Sequence, residues 1–315
     1  MTDLGRVLVL AGGLSAEREV SLQSGARLRD ALVRAGVDVH LRDVDAGLLG
    51  GLAAEPPAVV WPVLHGVSGE DGTLQEVLEM FGVPYVGGVP AGCRAAFDKP
   101  TAKALLASAG VRTPASVCLP RDAFADLGAG ALVERIVARL GLPLVVKPRA
   151  GGSAMGVSVV RDAADLPAAL MAATGYHDWI LVEQAITGDE ITVGVVDLDG
   201  APVALPAVGI APHGGAYDYA ARYTAGGATF TTPADLAPAV SDVAGQVALT
   251  AHRLLGLRDL SRTDMIVDGD GVVWYLETNV APGQTATSTW LRTRRPDRRD
   301  RARLRRPRHR HVHAE

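Results

Sequence analysis

Two short runs late in the chain hold the residue types best suited to chemistry. Arg262-Thr-Asp264 and Glu277-Thr-Asn279 each space their functional members at i, i+2, so within a strand both members point to one face. Two carboxylates and an amide oxygen on one face are hard oxygen donors of the kind Mg2+ takes, together with waters and phosphate oxygens. An arginine in the same cluster suits negative charge that develops during a reaction. A two-residue turn at Gly269-Asp270 would set Arg262 directly across from Glu277, with Asp264 diagonal to it. The stretch Asp268-Gly-Asp-Gly271 resembles a calcium loop superficially, but it lacks flanking helices and the closing glutamate and reads as the turn of that hairpin.

A second constellation is Lys147-Pro-Arg-Ala-Gly-Gly-Ser153-Ala-Met-Gly156, a glycine-rich loop entered from a strand that ends at Lys147. Backbone N–H groups in such a loop can close around phosphate oxygens, Ser153 adds a hydroxyl and Lys147 a point charge. The Gly-Lys-Ser/Thr ending of a P-loop is missing, so this is not that motif. Glu183 and Glu190 bracket a turn at Thr187-Gly188; spacing alone reads both as solvent-facing, although the segment between them could cross a nucleotide base. Tyr217, Tyr219 and Tyr223, with Arg222 among them, lie in a Gly/Ala-rich stretch that suits a lid closing over phosphate.

These residues sit in a chain of 315 residues with 36 Gly and 48% hydrophobic residues, enough to build two or three cores and incompatible with wholesale disorder. The net charge of −4 hides two unlike parts. Residues 291–315 hold 11 Arg against Asp297, Asp300 and Glu315, a net +8, so the other 290 residues, with 20 basic and 32 acidic groups, carry −12. The Arg-rich tail has no apolar periodicity and is expected to be disordered or foreign to the fold; the acidic body speaks against a nucleic-acid partner. Only three lysines occur among 31 basic residues, Lys99, Lys103 and Lys147, each a candidate for a task that a compact ammonium performs and a guanidinium does not. Two cysteines, Cys93 and Cys118, exclude a disulfide framework. The apolar run from Val7 to Ala11 is too short for a signal peptide and no stretch reaches the length of a membrane span, so a cytoplasmic protein without a membrane partner is expected.

The elements that must position these groups read as mixed α/β and α+β. Strands at 6–11, 37–42 and 58–64, a helix at 16–35, a glycine-rich turn at 65–72 and a helix around Leu74, Val77, Leu78 and Phe81 suit a doubly wound parallel sheet, with ligands at the turns 12–16 and 65–72. From Asp98 a helix at 99–109, a helix near 131–140 and strands at 143–147, 157–161, 179–184 and 190–196 follow. Beyond residue 187 antiparallel hairpins dominate, one of them turning at Asp199-Gly200. The resulting units are 1–97, 98–186 and 187–290, with the tail at 291–315.

Taken in order, Gly12-Gly-Leu-Ser-Ala-Glu-Arg-Glu-Val-Ser-Leu22, His65-Gly-Val-Ser-Gly-Glu-Asp-Gly72, Asp98-Lys99, the 147–156 loop, Arg262-Thr-Asp264 and Glu277-Thr-Asn-Val-Ala-Pro-Gly283 resemble the D-alanine:D-alanine ligases of bacterial cell-wall synthesis. The resemblance implies an N-terminal pre-ATP-grasp domain followed by a two-part ATP-grasp fold. It implies that ATP phosphorylates the carboxylate of one D-alanine and that the amine of a second displaces the phosphate to give the dipeptide. Carried over residue by residue, it implies that Glu17 and His65 lie at the first substrate, that Ser153 and Tyr223 join Glu17 in a hydrogen-bonded trio, and that Ser288 binds the acceptor carboxylate. It further implies that Lys99, Lys147 and Arg222 contact the phosphates, that Glu183, Gln184, Ile186 and Glu190 contact adenosine, that Asp264, Glu277 and Asn279 hold two Mg2+ or Mn2+ ions, and that Arg262 and the N–H of Gly283 stabilise the oxyanion. Tyr223 speaks for D-alanine as acceptor, and the family suggests a homodimer.

The chain departs from the family pattern where Arg222 replaces a common lysine, where Ala154 replaces a second serine, and beyond Ser288-Thr289, where an apolar helix gives way to the Arg-rich tail. Two other readings stay open at this level: another ATP-grasp carboxylate:amine ligase, or a nucleotide-binding chain inactivated by its altered C-terminus.

Overall fold

The computed structural model describes residues 5–15, 17–213 and 226–283. Tyr217, Tyr219, Arg222, Tyr223, Ser288 and the Arg-rich tail lie outside the described residues.

The N-terminal part alternates strand and helix as β1 (Val7–Leu10), α1 (Arg18–Arg34), β2 (Val39–Arg42), α2 (Leu48–Ala54), β3 (Val59–Pro62), α3 (Val67–Glu70) and α4 (Thr73–Met80). Its parallel sheet has the order β2-β1-β3, so the chain winds outward in both directions from β1. Successive strand residues alternate faces, and both faces are covered. Val7, Val9 and Ala11 pack with Leu28 of α1, whereas Leu10 and Val60 pack with Leu48 and Leu52 of α2 and Leu74 and Leu78 of α4. The stretch 65–72, expected as a plain turn, instead folds around α3. Gly66 starts that helix with φ +77°, and a Cβ there would lie 2.9 Å from Oε2 of Glu17.

α5 (Pro90–Phe97) and α6 (Lys99–Ser108) each begin with proline in the first turn, where the missing N–H costs nothing. Asp98 caps α6 by accepting from Thr101 N at 2.9 Å. Although α6 opens the second unit in chain order, Ala102 and Leu106 pack into the core of the third, beside Cys93 and Ala96 of α5.

The middle of the chain comprises β4 (Ser116–Pro120), α7 (Arg121–Leu127), α8 (Ala129–Leu140), β5 (Leu144–Pro148), β6 (Ser158–Val160), α9 (Leu166–Thr174) and β7 (Trp179–Gln184). Its strands pair antiparallel in the order β4-β7-β5-β6. Val146 and Val182 face the helices with Ile136, Leu140, Leu166 and Leu170, so their strand neighbours Lys147 and Glu183 face the other way, toward α6.

The last part holds β8 (Gly188–Leu198), β9 (Ala201–Ala204), β10 (Val208–Pro212), β11 (Ala228–Thr231), α10 (Pro238–Leu254), β12 (Leu260–Asp268) and β13 (Val273–Asn279), with sheet order β11-β10-β8-β12-β13 and β9 beside β8. Hairpins alone do not describe it. The 17-residue α10 covers one face of the sheet through Ala244, Val247, Ala248 and Ala251, an i, i+3, i+4, i+7 stripe of mostly small residues that does not stand out as a helix in the sequence.

The β12–β13 hairpin differs from its expected register. Arg262 pairs with Asn279 and Asp264 with Glu277, then a β-bulge intervenes and Met265 pairs with Tyr275. The turn is also longer than two residues, since Asp268 N donates to Val272 O at 3.0 Å and spans Gly269, Asp270 and Gly271. The extra residue, Leu276, reverses the alternation of β13. Val273 and Tyr275 face the core with Met265 and Val267, and without the bulge Glu277 would follow them. With it, Glu277 and Asn279 turn to the same face as Arg262 and Asp264.

Candidate active site

Segments next to all three sheets meet through the contacts Ser153–Glu17, Lys99–Gly151 and Lys99–Glu277. At the carboxyl end of β1 the turn Gly12-Gly13 is held by Ser21 Oγ, which accepts from Gly12 N at 2.8 Å and donates to Val63 O at 2.7 Å. Asp43 at the end of β2 accepts from Gly13 N at 2.9 Å and ion-pairs with Arg18 Nη2 at 2.5 Å. The Arg18 hydrogen bond and the neighbouring amides hold the Asp43 carboxyl down to about 2, against a modest opposing effect of burial. This turn presents Glu17, 5% exposed, at the mouth of α1. His65, at the end of β3, is buried, with Nε2 3.3 Å from Ser24 Oγ and Nδ1 3.7 Å from Glu70 Oε1, while Ser15 Oγ donates to its backbone oxygen at 2.7 Å.

The glycine loop of the middle unit reaches this mouth. Ser153 and Ala154 both take left-handed φ, 53° and 55°, a conformation that costs energy for residues with a Cβ and persists where surrounding contacts enforce it. The enforcing contact is Ser153 Oγ, which donates to Oε1 of Glu17. Gly152 lies against the same carboxylate, since a Cβ there would stand 3.1 Å from Glu17 Oε2. The root of the loop is fixed by Arg149, which ion-pairs with Asp98, lies over the Trp179 ring at 5.1 Å and accepts Lys99 N through its backbone oxygen at 3.2 Å.

Three buried lysines, Lys99, Lys103 and Lys147, lie beside these segments. Lys99, the first residue of α6, donates to Gly151 O at 2.6 Å and pairs with Glu277 Oε2 at 3.1 Å. Lys147 pairs with Glu183 Oε1 at 2.5 Å, and Lys103 with Glu183 Oε2 at 2.6 Å. Glu183 is therefore not solvent-facing, as its spacing suggested, but 2% exposed between two cations. Burial pushes its carboxyl up, and the Lys147 and Lys103 charges more than reverse this, leaving it below the ordinary range. Burial draws Lys103 down to about 8, with the Glu183 charge opposing. Gln184 ends β7 and donates from Nε2 to Leu140 O at 2.9 Å. Ile186 is half-buried in the short connection to β8, and Glu190 is half-buried on β8, paired with Ile210 and Ile266.

On the β12–β13 face, Arg262 forks onto Asp264, with Nε to Oδ1 and Nη2 to Oδ2 both at 2.8 Å. Thr192 Oγ1, from the adjoining strand β8, donates to Asp264 Oδ1 at 2.7 Å. Glu277 faces Asp264 across the bulge. Asn279 Oδ1 accepts from Ala281 N at 2.8 Å, bending the chain toward Gly283. Among the described residues no three carboxylate, imidazole or thiol groups cluster as a metal site. The oxygen donors brought to one face are the two carboxylates and the Asn279 amide. That set fits a hard divalent cation whose remaining ligands are waters and phosphate oxygens, with Arg262 and Lys99 as neighbouring charges. Asp43, Thr192 and the Arg149–Asp98 pair were missed from sequence; each acts through a partner distant along the chain.

The chain matches two family models, one described as the D-ala D-ala ligase C-terminus over residues 105–297 and one as the D-ala D-ala ligase N-terminus over residues 42–88. A relative from Bordetella petrii, named D-alanine--D-alanine ligase, is 41% identical over 285 residues, which cover 90% of this chain and 85% of that protein. Among solved structures, the VanG D-Ala:D-Ser ligase from Enterococcus faecalis superposes with a TM-score of 0.77 at 27% identity, covering 91% of this chain and 93% of that one. The D-alanine--D-alanine ligase from Bacillus anthracis complexed with ATP superposes with a TM-score of 0.74 at 27% identity, covering 92% of this chain and 90% of that one.

Proposed function

The chain belongs to the D-alanine–D-alanine ligase family, and we propose that its cleft joins two D-alanines in two steps, ATP first phosphorylating one carboxylate and the second amine then displacing phosphate from the acyl phosphate. The products are D-alanyl-D-alanine for peptidoglycan precursors, ADP and inorganic phosphate. The observation that carries the assignment of roles is the convergence of the Arg262–Asp264 fork, Glu277 and Lys99 on one face, beside the glycine loop.

Within that reading, Lys99 and Lys147 bind the phosphates together with Arg222, and the backbone of the 147–156 loop folds over them. Glu183, Gln184, Ile186 and Glu190 receive the adenosine. Asp264, Glu277 and Asn279 would hold two Mg2+ or Mn2+ ions, which when bound neutralise triphosphate charge. Glu17 receives the ammonium of the first D-alanine and, with Ser153 and Tyr223, ties the loop to the substrate; His65 lines the same pocket. Arg262 and the Gly283 N–H stabilise the oxyanion of the tetrahedral adduct, and Ser288 binds the acceptor carboxylate. Three units, 1–97, 98–186 and 187–290, carry these roles, with α5 and α6 packed onto the third. We place the enzyme in the cytoplasm as a homodimer with D-alanine as acceptor and without nucleic-acid or membrane partners; no helix among the described residues is long and apolar enough to cross a membrane.

ADP release from ATP should require both D-alanine and Mg2+ and should stop on chelation. Full turnover with L-alanine and none with D-alanine would sink this reading.

A further inference from the structure

The proposed roles use Lys99 and Lys147 and leave the third lysine without one. Lys103 lies one helical turn beyond Lys99 on α6, 3% exposed. Its ammonium donates to Thr113 Oγ1 at 2.9 Å and sits 2.6 Å from Glu183 Oε2. The other oxygen, Oε1, meets Lys147 at 2.5 Å, so one buried carboxylate bridges two ammonium groups on different elements. A Glu183–Lys147 pair alone would be neutral. Adding Lys103 gives the buried trio a net positive charge, which the nearby Glu277 carboxylate, itself paired with Lys99, opposes. The arrangement also fixes the carboxylate as a rigid bridge. With Oε2 held by Lys103 and Thr113 behind it, Oε1 cannot turn away from Lys147, the residue at the root of the glycine loop.

We propose that Lys103 is a positioning residue of the ATP site, holding Glu183 so that Glu183 in turn holds the Lys147 ammonium toward the phosphates. The proposal rests on the reading of Lys147 as a phosphate contact. It also links α6, which packs on the third unit, to the sheet of the middle unit, so that both sides of the nucleotide cleft share one charge cluster.

The test is calorimetric titration of the full chain with Mg-ATP in the absence of D-alanine, alongside steady-state kinetics. Lys103→Met should weaken ATP binding about tenfold, as loss of a charged hydrogen bond does. The kinetic loss should fall on the KM for ATP and not on the KM for D-alanine. Because Lys103 acts through Glu183, adding Lys103→Met to Glu183→Gln should weaken ATP binding by less than about twofold beyond Glu183→Gln alone. Should Lys103→Met lose its fold, Lys103→Gln, whose shorter neutral side chain cannot hold Glu183 Oε2 as an ammonium does, takes the same titration and should weaken ATP binding by about threefold or more. Wild-type ATP affinity in the folded variant, or full multiplication of the two effects in the double variant, would overturn the proposal. A wild-type chain that binds ATP but ignores D-alanine would sink the ligase reading and leave this one standing.

Discussion

The Ser153 hydroxyl donates to Oε1 of Glu17 across 136 residues of sequence, closing the glycine loop of the middle unit onto the first helix of the N-terminal unit. The bond helps Ser153 hold its left-handed φ, and it puts the candidate phosphate loop and the candidate ammonium-binding carboxylate in one hydrogen-bonded group.

Replacing Ser153 by Ala should therefore act on turnover more than on stability. Losing one hydrogen bond to a charged group, about 1.5 to 3 kcal/mol, corresponds to a fall in kcat/KM of about 10- to 150-fold. The melting temperature should hardly move, because the bond joins two units and belongs to the core of neither. Unchanged kcat/KM would show that the contact is incidental.

Arg262→Lys tests the fork. A single ammonium cannot donate to both oxygens of Asp264 in the planar geometry that Nε and Nη2 supply at 2.8 Å each. Charge is kept, so the chain should fold, while kcat falls by about 100-fold or more if the guanidinium also meets a developing oxyanion. A kcat within a few-fold of wild type would remove Arg262 from the reacting centre.

Asp43 gives a pH dependence with a definite sign. Its carboxyl is held at about 2 by Arg18 and by backbone N–H groups, against 3.8 ordinarily, so its stabilising contribution is complete above the unfolded value and is lost as pH falls through the folded one. Asp43→Asn should be less stable than wild type at neutral pH, and the two denaturation curves should converge between about pH 4 and pH 2. Parallel curves over that window would contradict the assignment.

Two glycines predict opposite signs. At Gly92 a Cβ would stand 2.7 Å from Leu255 O and 2.9 Å from Gly256 O, where α5 crosses the end of α10. Gly92→Ala should destabilise by about 1 to 3 kcal/mol through overpacking. Gly50, inside α2, has open space around it, and Gly50→Ala should stabilise by about 0.5 to 1 kcal/mol. Urea denaturation of the two variants reads both.

Much of the site was legible because its members are close in sequence or lie on regular strands. Arg262 with Asp264, and Glu277 with Asn279, declare a shared face by their spacing, and Lys147 is marked by the glycines that follow it. The register between the two runs was not legible, because nothing in Leu276 distinguishes a bulged residue from an ordinary strand residue. Glu183 looked like a surface glutamate because the cations that make its burial tolerable, Lys103 and Lys147, arrive from α6 and β5. In the fold, the parallel sheet followed from its alternating strands and helices. α10 went unread although Ala244, Val247, Ala248 and Ala251 carry the helical period, since small side chains make a weak stripe.

The hairpin tip lies beyond the bulge at Leu276, and the strand that carries Asp264 is held by more than its turn. β8 pairs with β12 along its whole length, from Leu260 opposite Val196 to Asp268 opposite Gly188, so the position of Asp264 is set from the side away from the turn. Gly269 stands in open space at the tip. The bond between Gly269 and Asp270 is thus a natural point for a guest peptide, which should leave Asp264 opposite Glu277, and the loop becomes a place where the enzyme can be extended away from its site.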